Sequence, residues 1–550
     1  MSNIINDVTN TYITDNFFYI DSNNLSTVEN KLYGYCLTKK NNTISFVDDG
    51  ELLGGTYIKI VKINNKEINI FTDDFSSLLV FYYISDNFFA ISNSFYILAE
   101  NLKRNSISLS INKSYIDQYI QSPLHSHTIN NTLINEIKIL PFGKDIKIKN
   151  NKVEFIDKNI EFHTVNLFSE TGMNILNNWI NKWTNINKAL LKSNLHTQID
   201  LSGGFDSRII FALNYNTGVN LNNKNINIFS KNSGNKGMLH HLMDDFDVSK
   251  KICDTLNLQI NENYKSDNVS NYFSPEEQYK LLKNSFMGIH KVGFSCLRVC
   301  EKPQLHFGGL NGEVIRGALP NLNKENIKRR LSHNPIKNKD SVIDNFYKDL
   351  EELKQNSKTD FEALIKFFLT TQCRSHFGMS MYNSYIANIF SILPYNDKEL
   401  LKLYVPNDID KNIIFAIIIY KTCPEIFNID FMNNQNFSQE TKNKAIEISN
   451  QYKLIRKDEN LELVDIDKLY KHKENKYQRG ILGFDVLYNK FVDNKDFFIN
   501  EFGKLYDKDY ATKLYDFANN YYLNKDNFSI YTWVSCLTAI IETLKILKNN

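Results

Sequence analysis

The six residues Ser202–Ser207, which read Ser-Gly-Gly-Phe-Asp-Ser, combine features that suit the binding of an anion. Two adjacent glycines let the backbone come close to a ligand, and successive N–H groups in such a turn can cradle phosphate oxygens. Apolar residues on both sides predict a strand before the loop and a helix that starts at Ser207 and points its positive end at the same place. The hydroxyl groups of Ser202 and Ser207 add further donors.

Asp206 is the residue of this loop that an anion alone does not explain. A carboxylate beside a phosphate is repelled unless a divalent cation lies between them, and Mg²⁺ prefers such oxygen ligands. The sequence therefore predicts a polyphosphate site with Mg²⁺ at Asp206. The alternative is a tight strand-to-helix turn that happens to be rich in glycine, which the complete six-residue pattern disfavours. The chain has no Gly-x-x-x-x-Gly-Lys-Ser/Thr pattern, so a kinase-type or GTPase-type loop is not supported.

Two different patterns surround the loop and predict the elements that position it. Before residue 160, short apolar runs separated by turn residues predict antiparallel strands. After it, strands alternate with helices, which is typical of a parallel sheet. The early predicted strands are Tyr57–Val61, Ile68–Phe71, Leu78–Tyr83, Phe88–Ile91 and Ile137–Leu140, with a helix at Phe95–Leu102. The later predicted elements are helix Ile175–Leu191, strand His196–Leu201, strand Ile226–Ser230, helix Met243–Leu256, a short strand near Leu258–Ile260 and strand Gln304–Phe307.

These patterns predict an α/β chain of two domains. An antiparallel β-sandwich is expected over residues 1–160, and a parallel-sheet domain over residues 170–550 that is mainly helical after about residue 325. The chain has 550 residues, enough for two separate cores.

Charge and composition exclude several classes of protein. A formal net charge of +2 gives no long-range attraction for nucleic acid or for acidic membranes, so we expect neither as a partner. The seven cysteines show no disulfide pattern, which favours the cytoplasm. The apolar stretch Ile413–Ile419 is too short to cross a bilayer.

On its predicted strand and helix, the loop resembles the Ser-Gly-Gly-x-Asp-Ser signature of the N-type ATP pyrophosphatases. These enzymes cleave ATP between its α and β phosphates and leave AMP on the substrate. Further segments occur in the order found in asparagine synthetase-like proteins, whose N-terminal domain has a class II glutamine amidotransferase fold and whose second domain is an adenine nucleotide α-hydrolase-like synthetase domain with a helical extension. These segments are Gly54–Tyr57, Phe71–Leu78, Phe81–Tyr83, Phe89–Ser94, Ile137–Gly143, Ile228–Ser230, Phe307–Gly317, Arg374 and Leu393–Asp397.

The resemblance implies ATP as the nucleotide and Mg²⁺ as the metal cofactor. It implies catalytic roles for Asp206, Glu313 and Arg316, with Asp206 and Glu313 as metal ligands. Taken alone, Glu313 could instead stabilise a helix N-terminus, and Arg316 could form a surface salt bridge. The implied ATP-binding and pyrophosphate-binding residues are Leu201, Ser202, Gly203, Gly204, Phe205, Asp206, Ser207, Phe229, Ser230, Gly308 and Gly309.

The sequence departs from the family pattern in three places. A class II glutaminase needs a cysteine directly after the initiator methionine, and Ser2 stands there, so we expect no glutaminase activity, as in the β-lactam synthetase branch. The acidic motif Gly-x-Gly-x-Asp-Glu has Gly312 where the Asp is expected, and Glu313 is the candidate to replace it. Relatives carry a catalytic lysine where Pro424–Asp430 has none, although Lys411 and Lys421 lie nearby.

The expected function is an ATP-dependent ligase that adenylates a substrate carboxylate and transfers the acyl group to an amine or to ammonia. Its expected partners are that carboxylate substrate and that amine or ammonia donor, and the sequence leaves a homodimer open. Two alternatives use the same loop: a tRNA-modifying adenylase, and a family member that binds ATP without turnover.

Overall fold

The protein has a mixed α/β fold with antiparallel sheets, a parallel sheet and many helices, which confirms the predicted class at this level. None of the described helices is long and apolar enough to cross a membrane. Ser2 lies outside the described residues. The computed structural model describes residues 16–121, 129–230, 241–261, 269–270, 274–285, 287–289, 299–300, 302–317, 339–432, 435–466, 483–523 and 530–548.

The described residues of the N-terminal part form ten strands, two α-helices and a 3-10 turn at Leu25–Thr27. Four of its strands form one antiparallel sheet in the order β1-β7-β6-β8, and the other six lie side by side in the order β10-β9-β5-β4-β2-β3. The elements are β1 (Tyr19–Asp21), β2 (Lys31–Lys40), β3 (Thr43–Ser45), β4 (Glu51–Asn64), β5 (Glu67–Thr72), β6 (Phe81–Ile84), β7 (Phe89–Ser92), α1 (Phe95–Arg104), α2 (Lys113–Gln121), β8 (Lys138–Ile139), β9 (Lys144–Lys149) and β10 (Lys152–Asp157).

The two N-terminal sheets share one apolar core. Side chains alternate along a strand, so Ile68 and Ile70 of β5 point inward while Phe71 is partly exposed. They meet Phe89 and Ile91 of the other sheet in the same cluster. Burial of each such side chain contributes roughly 1.5–3 kcal/mol, which is enough to fix the register of these strands.

The middle of the chain builds a four-stranded parallel sheet in the order β13-β12-β16-β17. Short extra strands form two small pairs, β11 with β18 and β14 with β15. The elements are β11 (Val165–Asn166), α3 (Glu170–Lys192), β12 (His196–Asp200), α4 (Phe205–Tyr215), β13 (Ile226–Phe229), α5 (His241–Thr255), β14 (Val269–Ser270), α6 (Pro275–Ser285), β15 (Val299–Cys300), β16 (Gln304–Phe307), α7 (Gly312–Ile315), α8 (Lys339–Gln355), α9 (Asp360–Phe368), α10 (Met379–Ile386), β17 (Ile389–Ile392), α11 (Lys398–Leu401) and β18 (Leu403–Tyr404).

The remainder of the chain is mainly helical and contacts both parts. One late strand pairs parallel to β3 and extends the larger N-terminal sheet. The last helices pack on α1, where the Tyr96 hydroxyl donates to the Ala539 carbonyl at 2.7 Å. The elements are α12 (Ile413–Thr422), α13 (Gln439–Gln451), β19 (Glu462–Leu463), α14 (Gly483–Asp493), α15 (Lys495–Leu505), α16 (Lys508–Leu523) and α17 (Ile530–Lys548), with a π-helical turn at Leu369–Gly378 and a 3-10 turn at Pro424–Ile426.

The two faces of the parallel sheet differ in chemistry. On one face Ile199 lies between Ile228 and Phe307, and these buried side chains pack in the same cluster as Ile209 of α4. The other face carries a polar row across all four strands, which is unusual because parallel sheets are normally apolar on both faces. The row runs Asn227, Gln198, His306 and Ser391.

Most predicted elements are confirmed within a few residues, and β16 has the predicted bounds. Two predictions are wrong. The helix after the loop begins at Phe205 rather than Ser207, because Gly204 already serves as its N-cap. The strand expected near Leu258–Ile260 is absent from this fully described segment, and only an isolated bridge joins Phe229 to Asn261.

Candidate functional site

The predicted phosphate loop lies at the carboxyl edge of the parallel sheet, between β12 and α4. Gly204, the N-cap of α4, has no side chain with which to cap the helix. The first N–H groups of a helix have no partner within the helix itself. Together with the helix dipole, they make this edge of the sheet suited to an anion.

Hydrogen bonds within and around the loop fold it into a compact turn. The Ser202 N–H donates to the Ser207 hydroxyl at 2.9 Å, and the two hydroxyl oxygens lie 2.8 Å apart. The Gly203 N–H donates to the Asp245 carboxylate at 2.7 Å, and the Gly203 carbonyl accepts from the Met432 N–H at 3.1 Å. The loop is therefore shaped by the protein itself before any ligand binds.

Two glycines after β16 make close contact with the start of α4. A Cβ atom at Gly309 would lie 2.7 Å from the backbone nitrogen of Ser207, so no larger residue fits without moving the loop. A Cβ atom at Gly312 would lie 2.2 Å from Oδ1 of Asp206. The segment after β16 thus packs directly against the loop and brings Glu313 and Arg316 to Asp206.

Asp206, Glu313 and Arg316 form a charged cluster with incomplete pairing. Arg316 Nε lies 3.7 Å from Asp206 Oδ1, which is within ion-pair distance but too long for a hydrogen bond. Both atoms are buried and neither has a hydrogen-bond partner. Burial, and then the negative charge of Glu313, raise the pKa of Asp206 to about 7, and Arg316 opposes this shift in part.

This pair of carboxylates suits a divalent cation. Two nearby acidic groups with an unpaired oxygen between them gain from a positive charge, and Mg²⁺ needs only one or two protein carboxylates because it keeps waters and binds phosphates. In the described part of the chain, no group of three or more His, Cys, Asp or Glu residues is placed to hold a metal ion.

Neighbouring residues fix the cluster in place. The Tyr395 hydroxyl donates to the Asp206 carbonyl at 3.0 Å. The Arg316 guanidinium lies 5.4 Å from the centre of the Phe205 ring, a cation–π contact. Asn311 adopts a left-handed conformation with φ of 74°, and its side chain donates to Asn396 at 2.6 Å, which sets the turn that leads into α7.

The other predicted ligand residues lie along the same edge of the sheet. The Leu201 N–H donates to the Phe229 carbonyl at 2.9 Å. Ser230 donates through its hydroxyl to Ser249 at 3.2 Å, and the Gly308 N–H donates to the Ile392 carbonyl at 3.5 Å. Every residue named above as a candidate ligand or catalytic group therefore lies at the carboxyl ends of β12, β13 and β16 or in the segments that follow them.

Sequence reasoning missed an ion pair beside the loop. Nε2 of His306 and Oδ2 of Asp200 lie 2.6 Å apart on adjacent strands, and Gln198 donates to the second oxygen of Asp200 at 2.7 Å. The Asp200 carboxylate raises the pKa of His306 even though burial opposes this shift. The available signal was a polar residue at every second position of His196–Asp200 and of Gln304–His306, since such alternation marks one polar face.

The two lysines considered as replacements for a catalytic lysine bind elsewhere. Lys411 donates to the Pro406 carbonyl at 3.0 Å and to the Asn407 side chain at 3.2 Å. Lys421 donates to the Tyr452 carbonyl, and burial lowers its pKa to about 8. Of the described cations, Arg316 is the one that the structure pairs with Asp206.

Two comparisons with known proteins found no match. No family model matches the chain, and no curated protein matches its sequence.

Proposed function

We propose that the protein is an ATP-dependent, AMP-forming ligase that activates a carboxylate as an acyl-adenylate and transfers the acyl group to an amine or to ammonia. The observation that carries this proposal is the unpaired oxygen of Asp206, held beside Glu313 and Arg316 at the uncapped start of α4. At this place the N–H groups of the loop, which suit phosphates, lie next to the carboxylates of Asp206 and Glu313, which suit a cation.

In this proposal, a substrate carboxylate oxygen forms a bond to the α-phosphorus of ATP, and the bond to pyrophosphate breaks. The amine then attacks the acyl carbon, AMP leaves with the bonding electrons, and the amine gives up a proton. The loop N–H groups and Arg316 stabilise the charge that develops on pyrophosphate. Asp206 and Glu313 would hold Mg²⁺, which supplies charge neutralisation of the phosphates when bound.

The backbone supports a one-residue change in how the acidic motif is aligned with the family pattern Gly-x-Gly-x-Asp-Glu. Gly309 must be glycine because of its contact with α4, and Asn311 has the left-handed backbone that glycine favours. With these residues at the two Gly positions, Glu313 itself takes the Asp position, and Gly312 falls at a variable one. The apparent loss of an acidic ligand is then an Asp-to-Glu exchange.

The N-terminal sheets bear on the source of the amine. We propose that these sheets are structural and resemble an amidotransferase domain without its activity, because Cys36 in β2 is buried and, inside the chain, has no free α-amine to act as a base. The amine is then free ammonia or a group on a substrate. We place this reaction in the cytoplasm, which agrees with the free thiols of the six described cysteines.

The test is ATP–pyrophosphate exchange with a panel of carboxylic acids, measured for the wild type and for Asp206→Ala. We expect acid-dependent exchange in the wild type and a loss of at least about 100-fold in the variant, since electrostatic groups of this kind contribute on that scale. Asp254→Ala is the matched control, because Asp254 is 62% exposed and pairs with Lys250 on the surface. Unchanged exchange in Asp206→Ala would exclude the proposed role of this residue.

A nucleotide-binding protein without turnover is the second candidate. It is favoured by Lys411 and Lys421, whose ammonium groups bind backbone carbonyls instead of reaching the loop. Two measurements separate the candidates: calorimetry with ATP and Mg²⁺, and an assay for released AMP. The second candidate requires binding that depends on Asp206, and no release of AMP with any acid and amine of the panel.

A further inference from the structure

A cavity of about 550 Å³ opens beside the charged cluster. The cavity is lined by Arg316 at the end of α7 and by Phe361 at the start of α9. The segment that leads into β11, with His163, and the loop after β18, with Lys411, also line it. This volume is in the range of pockets that bind small organic molecules.

Arg316 joins this cavity to the phosphate loop. Its side chain lines the cavity while Nε faces Asp206 at 3.7 Å and Nη1 contacts Asn412 at 3.4 Å. A carboxylate that enters the cavity and binds Arg316 therefore lies next to the phosphate loop.

The charges that line the cavity are predominantly positive. Its acidic side chain, Glu362, is already neutralised by Lys366 at 2.7 Å. Lys358 and Lys411 line the cavity together with Arg316, and neither lysine has a carboxylate within ion-pair distance among the residues that the structure describes. The ammonium group of Lys411 already donates to the Val405 and Pro406 carbonyls and to Asn407, so Lys411 contributes its charge and the exposed Lys358 contributes free donors. An occupant that carries more than one negative charge would offset this excess.

Aromatic side chains form much of the apolar lining. The ring of His163 lies 4.7 Å from that of Phe361 at an angle of 44°, and Phe162 and Tyr404 lie on the same lining. Burial, and then the charge of Lys411, lower the pKa of His163 to about 4, so this ring is uncharged at neutral pH. An aromatic lining of this kind favours a planar apolar group, which can pack against the faces or edges of the rings.

We propose that this cavity binds the body of the acid substrate, and that this acid has a planar ring and a second anionic group, either carboxylate or phosphate, which lies near Lys358 and Lys411. The assignment of the reacting carboxylate to Arg316 rests on the proposed function. Binding of the ring and of the second anion does not require catalysis.

The test compares three probes by calorimetry at constant ionic strength and without ATP: phenylacetate, 4-carboxyphenylacetate and 4-phosphonooxyphenylacetate. We expect both doubly anionic probes to bind the wild type at least about tenfold more tightly than phenylacetate. The tighter of the two identifies the second group as carboxylate or phosphate. Lys358→Met, an exposed and easily replaced position, and Lys358→Met/Lys411→Met should each reduce the advantage of the doubly anionic probes.

Lys513→Met is the control, because Lys513 is 74% exposed and belongs to a surface pair on α16. Equal affinity for all three probes, or an unchanged advantage in Lys358→Met, would overturn the assignment, and the single variant decides this even if the double variant does not fold. A wild-type protein that shows the expected probe selectivity but no acid-dependent exchange would support the cavity and contradict the proposed ligase.

Discussion

Two aspartates of this chain have buried carboxylate oxygens in opposite surroundings. Asp73 in the N-terminal sandwich is 4% exposed, and its carboxylate accepts hydrogen bonds from Phe75 N at 3.1 Å and from the Ser77 N–H and hydroxyl at 3.0 and 2.8 Å. Asp206 at the edge of the parallel sheet has a buried oxygen that accepts none. Burial raises the pKa of both, yet the protein completes the hydrogen bonds of only one.

The cations beside these aspartates differ in the same way. Lys158 donates to the Thr72 carbonyl at 2.7 Å and to the Asp73 carbonyl at 2.6 Å, while Nε of Arg316 has no hydrogen-bond partner. An unpaired buried polar group costs about 1–3 kcal/mol, so a fold retains it where something else completes it. The difference separates charge that the fold itself pairs from charge that the fold leaves unpaired at the candidate site.

The largest predicted effect is the loss of stability on replacing Asp73. Asp73→Ala should lower the free energy of unfolding by about 3–5 kcal/mol, because the buried N–H groups of Phe75 and Ser77 and the Ser77 hydroxyl lose their acceptor together. Urea unfolding followed by circular dichroism measures this change.

The matched variant is Asp206→Ala, for which we expect at pH 8 an unfolding free energy equal to that of the wild type or higher. A carboxyl group with a raised pKa in the folded state destabilises that state once pH exceeds the raised value, so its removal relieves a cost. Equal losses of stability in the two variants would break the distinction between them.

Much of the fold follows from local patterns in the sequence. The alternation of polar and apolar residues in Glu67–Thr72, in β12 and in β16 identifies these strands because it encodes a buried face directly. The Ser-Gly-Gly loop identifies the site because its glycines serve close backbone contacts, of which Gly203 against Asp245 is one. Local chemistry of this kind is visible without the fold.

Other features depend on contacts between distant segments and could not be predicted. The pairing of Asp200 with His306 depends on which strands are neighbours, and these residues are 106 positions apart in sequence. The packing of α17 on α1 has the same origin. In the sequence, Lys411 and Lys421 lie close enough to Pro424 to be considered for the catalytic lysine. Only the fold determines which carbonyl oxygens their ammonium groups bind instead.

The second predicted effect tests the close packing that brings the acidic cluster together. Gly309→Ala should cost about 1–3 kcal/mol in unfolding free energy and weaken ATP binding, because its Cβ would lie 2.7 Å from the backbone of Asp206 and Ser207. Gly54→Ala in β4 is the control, since its Cβ would meet Trp183 at an ordinary 3.5 Å and Gly54 lies outside the loop. Calorimetry with ATP and urea unfolding should both rank Gly309→Ala below Gly54→Ala, and the reverse order would mean that the loop is not held from this side.

The smallest predicted effect concerns the pair of Asp200 and His306. This pair is intermediate between Asp73, which is fully hydrogen-bonded, and Asp206, which has an unpaired oxygen, because its two groups are bonded to each other yet their side chains are 36% and 29% exposed. The pKa of His306 is raised from 6.5, so its stabilising contribution is fully present below that value and is lost as pH rises through the folded pKa. The pKa of Asp200 is lowered from 3.8, so its contribution is present above that value and is lost as pH falls through the folded pKa. Solvent screening limits the pair to about 0.5–1 kcal/mol.

His306→Gln should therefore be less stable than the wild type by this amount near pH 5, and the difference should shrink as pH rises above 6.5, through the folded pKa of His306. Urea midpoints measured from pH 4 to pH 9 for both proteins give this difference directly. His196→Gln is the control for the loss of an imidazole as such, because His196 lies at the start of β12 on the same face of the sheet. A difference between His306→Gln and the wild type that stays constant with pH would show that His306 contributes packing rather than charge. The pair of Asp200 and His306 could then not be compared with Asp73 and Asp206, which differ in how their charge is paired.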